Sequence, residues 1–175
     1  MIKLSLRDKL NSLGSQLDKA IKNLSYGESE FEGNCGAFAI GLAEVLWKLG
    51  DKNLSFICFY ERISEIEGKS EKETEKDKYV LRKFMLTSGY SHVLLKTSFG
   101  VFDASGLMDE TSAVDKWTKI IEEDNKEYID NPKYKFVLKI NILPYNNSGY
   151  TRIMKYTNPT KRVNLYRDEI LNKLK

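Results

Sequence analysis

The stretch "FEGNCGAFAIGLAEVLWKLG", residues 31–50, constrains the fold more than any other. Phe38, Ala39, Ile40, Leu42, Ala43, Val45, Leu46, Trp47 and Leu49 cover nearly the whole circumference of a helix, and only Glu44 and Lys48, four apart, mark a wet stripe. A helix apolar on most sides must be buried, so the rest of the chain has to wrap it. Gly33 and Asn34 suit its start, and Gly50 sits where a C-terminal glycine cap belongs.

The covering elements can be read from periodicity. Leu6, Leu10, Leu13, Leu17, Ile21 and Leu24 recur at steps of three and four, which predicts an amphipathic helix over about 5–24 with Gly14 as a weak spot. Residues 26–34 read as a polar loop. "NLSFICFYERI" reads as a strand with Leu54, Phe56, Cys58 and Tyr60 on one face, which makes Cys58 a core residue. "YSHVLLKTSFGVFDASG" reads as a hairpin, "TSAVDKWTKIIEEDNKEY" as a helix with Val114, Trp117, Ile120 and Ile121 on one face, "YKFVLKINIL" as a strand ended by Pro144, and "VNLYRDEILNKLK" as a short helix. Residues 64–83 are densely charged with mixed signs, as in a solvated loop or helix or a partner-binding lid. There is no internal repeat and no second core, so the 175 residues are expected to form one α+β domain.

Composition narrows the functional classes. A net charge of +3 does not argue for nucleic acid. The glycine spacings of phosphate-loop and dinucleotide motifs are missing. No apolar run approaches the ~20 residues that span a bilayer, and "MIKLSLRDKLNSLGSQL" has no signal-peptide h-region, so a cytoplasmic protein is expected, with delivery into a host cell left open. Two cysteines and one histidine are too few for a structural zinc site. No metal or organic cofactor is expected.

The only histidine, His92, opens one strand of the hairpin, and Asp103 lies on the other. A loop of Ser98 and Phe99, or of Thr97 to Gly100, pairs position 92 with 105 and puts Asp103 a diagonal step away on the face of His92. Such neighbours are roughly 7 Å apart at the backbone. Val93, Leu95, Phe102 and Ala104 then form the opposite, core face. A three-residue loop would separate His92 from Asp103 but would break that core face.

Cys35, His92 and Asp103 together suit thiol chemistry. A helix N-terminus stabilises a thiolate, a histidine can take the thiol proton and return it to a leaving group, and a carboxylate can orient the imidazole. The backbone N–H of Cys35 and the amide of Asn34 are candidate oxyanion donors, and Gly36 leaves room for a substrate at the sulfur. Each residue also has a plainer explanation: Cys35 as a small core hydrophobe, His92 as a surface or satisfied core residue, Asp103 as a turn residue, Asn34 as an N-cap.

The order and placement of "GNCGAFAIGLAEVL", "SHVLLK" and "GVFDASG" resemble the papain-like cysteine-peptidase superfamily, in particular its transglutaminase-like branch. The resemblance covers residues 31–105. It implies a Cys helix packed on an antiparallel sheet, with Cys35 as nucleophile, His92 as base and Asp103 as orienting group. It also implies a protein or peptide substrate and a hydrolase or acyltransferase acting through a thioester. The oxyanion glutamine that papain carries upstream of its cysteine has no counterpart here, nor do its tryptophans after the Cys and the His. The Lys-, Asn- and Ile-rich composition suggests a low-GC bacterium or its phage. The alternative is a non-catalytic interaction module on the same fold, binding through residues 64–83 or the basic stretch 150–162.

Overall fold

The computed structural model describes residues 6–24, 34–65, 85–157 and 160–174. All but Asn34 of the expected loop over 26–34 and most of the charged segment 64–83 lie outside the described residues.

Helices α1 (Leu6–Lys22) and α2 (Cys35–Leu49) come first, followed by strands β1 (Ser55–Glu65), β2 (Met85–Thr97), β3 (Gly100–Asp103) and β4 (Gly106–Met108). Helices α3 (Glu110–Asp124) and α4 (Lys126–Ile129), strand β5 (Tyr134–Pro144), and helices α5 (Asn147–Thr157) and α6 (Thr160–Lys173) complete the chain. The strands form one five-stranded antiparallel sheet in the order β4-β3-β2-β1-β5. The chain is thus an α+β fold, with the helix that begins at Cys35 packed on the sheet.

Side-chain alternation gives the sheet two apolar faces. Phe56, Cys58, Val93, Leu95 and Phe102 point to one, where α2 lies with Leu17, Ile153, Val163, Tyr166 and Ile170 around it. Ile57, Phe59, Leu94 and Val101 point to the other, where Ala113 and Ile121 of α3 cover them. Helix α2 is therefore the hub that its composition demands, buried from Gly36 to Ala43 and again at Val45 and Leu46. It ends at Gly50, whose φ of 103° turns the chain left-handed while its N–H reaches the carbonyls of Leu46 and Trp47. Its last turn is wetter than expected: Trp47 is 41% and Leu49 48% exposed. The Lys52 ammonium shields one face of Trp47, 3.8 Å from the ring centroid.

The hairpin has the expected register. Thr97 pairs with Gly100 and Leu95 with Phe102, around Ser98 and Phe99. Between β1 and β2 the partner jumps from His92 opposite Phe59 to Tyr90 opposite Tyr60, so Ser91 is an extra residue; its hydroxyl donates to the Phe59 carbonyl at 3.1 Å. This bulge keeps Tyr60 and Tyr90 on the α2 face. Four features go beyond the sequence reading. Strand β4 and helix α5 were not anticipated. The predicted helix over 111–128 divides at Asn125, whose side chain turns to the Ile121 carbonyl and to Glu61. Ile120 is exposed, because Ala113, Trp117 and Ile121 define the inward stripe of α3.

Candidate active site

Cys35 is the first residue of α2, half-buried against the main core. Burial pushes its thiol up, against the backbone N–H groups of Val93, Gly36 and Cys35 itself, which favour the thiolate. The sulfur thus faces strand β2 at Val93, the neighbour of His92. Cys58, the register partner of Val93, lies in the same core, and burial pushes its thiol up to about 12.

Asn34 is buried at the N-cap position of α2 but makes no side-chain cap bond. Its Oδ1 instead accepts from Arg162 Nη1, which ties the start of α2 to α6.

His92 and Asp103 share a sheet face, as the register requires, and it is the α3 face rather than the α2 face. Trp117 joins them. Its indole stacks on the imidazole with ring centres 3.4 Å apart and planes at 16°, and its Nε1–H donates to Asp103 Oδ2 at 2.9 Å. Lys116 Nζ adds a second contact to Oδ2 at 3.3 Å, and Ser105 donates its backbone N–H at 2.7 Å and its hydroxyl to Oδ1. Asp103 is only 3% exposed. Burial opposes its charge, but the bonds from Ser105 and Trp117 and the Lys116 ammonium hold its carboxyl below the usual range.

The structure therefore brings His92 and Asp103 to one cluster and sets Cys35 against the other side of the strand that carries His92. Both carboxylate oxygens of Asp103 are occupied, so its charge acts on the imidazole through space. His92 Nε2 is buried with no hydrogen-bond partner among the described residues. Burial lowers the imidazole pKa to about 4; Asp103 opposes that shift and Lys116 adds to it. Burial thus favours the uncharged form of both the imidazole and the thiol.

Sequence reasoning missed Trp117, Lys116 and Ser105 as site residues. One signal was available. A tryptophan on the inward stripe of a helix must place its N–H on an acceptor, and Asp103 is a buried carboxylate under that helix. Arg162 left no such signal, since only the tertiary fold brings α6 to Asn34. Among the described residues, no group of three His, Cys, Asp or Glu side chains is gathered to hold a metal ion. The chain matches no protein-family model, no curated protein and no solved structure.

Proposed function

We propose that the chain is a cysteine-nucleophile hydrolase or acyltransferase of papain-like or transglutaminase-like type, acting on a protein or peptide substrate. Cys35 Sγ attacks the substrate carbonyl carbon and forms a thioester as the bond to the leaving group breaks. His92 takes the thiol proton and delivers it to the leaving group, and Asp103 favours the imidazolium in between. The backbone N–H groups at the tip of α2 would stabilise the developing oxyanion, with the Asn34 amide as the proposed second donor. Water or a second nucleophile then releases the acyl group.

The observation that carries this reading is His92 Nε2, buried without a hydrogen-bond partner among the described residues, on the residue next to the backbone N–H that faces the Cys35 sulfur. An unpaired buried nitrogen costs about 1–3 kcal/mol, and a catalytic role is one of the reasons such a group persists. The bulge at Ser91 lies beside it, and bulges are over-represented next to active sites. The proton transfer requires the imidazole to leave Trp117, which holds it on the far face of β2.

That same stacking favours a second reading, a non-catalytic interaction module in which His92, Trp117 and Asp103 are a structural cluster. The rate of Cys35 alkylation against pH, read by intact mass in wild type and His92→Ala, separates the two. For the enzyme, labelling persists well below pH 8 and slows when His92 is lost. Labelling that begins only above about pH 8.5, with no response to His92→Ala, describes an ordinary buried thiol and ends the catalytic reading.

A further inference from the structure

We propose that the substrate of Cys35 is an acidic peptide segment, received by a basic surface on the α2 face of the sheet formed by Arg62, Lys135, Lys139 and Arg152. The surface is read from the register. The row Asn141–Cys58–Val93 lies at the Cys35 end of α2. The next row along the strands on that face is Lys139–Tyr60–Tyr90, about 7 Å further on. Beyond it Val137 pairs with Arg62, and then Lys135 with Ser64. Helix α2 begins at Cys35 and runs the opposite way, over Phe56 and Leu95, so these outer rows lie past its tip. Arg62, Lys135 and Lys139 are exposed. Arg152, exposed on α5, stands close enough to Cys58 for its charge to favour that thiolate.

Charge decides the ligand class. Arg62 and Lys139 are diagonal neighbours, as are Arg62 and Lys135, at roughly 7 Å each. No carboxylate among the described residues pairs with any of the four cations. Glu61, the nearest acid in the strand, points to the other face, where it accepts from Asn125. Uncompensated like charges repel, and an anionic chain laid across them relieves that repulsion. A polypeptide fits better than a nucleic acid. Tyr60 and Tyr90 meet edge-on, 6.1 Å apart at 78°, and so present no pair of parallel faces for bases. A thiol nucleophile at the end of the surface also acts on carbonyl carbon. The chemistry at the sulfur rests on the proposed function; the binding of the acidic chain does not.

The test is fluorescence anisotropy with a labelled Glu-rich peptide, its Gln counterpart and a single-stranded RNA of similar length, together with the Cys35 alkylation rate at saturating peptide. The Glu peptide should bind wild type and Cys35→Ala equally and slow alkylation of wild type. Arg62→Glu/Lys139→Glu should weaken it about tenfold or more, while Lys119→Glu on α3 should leave it within about twofold. Equal binding of the Gln peptide, tighter binding of RNA, equal loss in Lys119→Glu, or unprotected Cys35 would each overturn the proposal. A Glu peptide that binds and protects a Cys35 of ordinary reactivity would sink the enzyme reading and leave the acidic-peptide surface standing.

Discussion

His92 is where the electrostatic cost of the site is concentrated. Its imidazole is stacked under Trp117, and burial holds its pKa near 4, against 6.5 when unfolded. Between these values the unfolded chain binds a proton that the folded chain refuses. Stability therefore rises with pH across that window, and it is fully present above pH 6.5. Lowering the pH from 6.5 to 4 should cost about 3 kcal/mol at most from this one residue. His92→Gln should remove most of that slope, leaving a shallower loss below about pH 4 as Asp103 and other depressed carboxyls protonate. Urea midpoints of the two proteins from pH 4 to 8 check this. Parallel pH profiles would mean that the imidazole is far more solvated than its packing implies.

Among the elements, α2 depends on close approach as well as on hydrophobicity. A Cβ at Gly41 would meet the Val163 carbonyl at 2.9 Å, the Arg167 nitrogen at 3.1 Å and Tyr166 Cβ at 3.2 Å, all on α6. Two of these are backbone atoms that cannot swing aside. Gly41→Ala should therefore destabilise by about 1–3 kcal/mol despite alanine's better helix propensity, which thermal denaturation would show directly. Gly41 is one of the places where the sequence was legible only in part. The apolar girth of α2 announced its burial, and Gly50 announced its end. The alternation of Val93, Leu95 and Phe102 was enough to register the hairpin and to put His92 with Asp103. What periodicity could not say is which sheet face α2 would occupy. The core face of the hairpin took the helix, and that choice set Cys35 and His92 on opposite sides of β2. Helix α5 went unread for a different reason. In "NSGYTRIMKYT" Ile153 is buried in the main core while Gly149 lies against the nearby Leu143 and Pro144, and the Asn-Ser-Gly start gives the signal of a turn rather than of a helix.

At the scale of the whole molecule, the described residues close one edge of the sheet and leave the other open. Strand β4 is short, and α1 covers it: Asp18 Oδ1 accepts the Leu107 N–H at 2.7 Å, and Gly106, at φ 116°, lies so close that a Cβ would strike that carboxylate. Strand β5 is the opposite case, 11 residues long and, among the described residues, paired on one side only. On the α3 face it shows Ile140 at 43% and Ile142 at 59% exposure, which is the pattern of a strand ready to pair with another chain. Lys135 and Lys139, exposed on the other face, are the counterweight, because a second copy pairing edge to edge would crowd ammonium groups together. On this argument Lys135 and Lys139, which the acidic-peptide proposal also uses, would keep the molecule apart from its copies. Replacing them with Lys135→Thr and Lys139→Val should leave monomer stability within about 0.5 kcal/mol, since both are surface positions. The same change should produce concentration-dependent association in light scattering. Adding Ile142→Lys to that double variant should restore the monomer by returning charge to the same edge. A double variant that stays monomeric would mean that something other than charge guards β5.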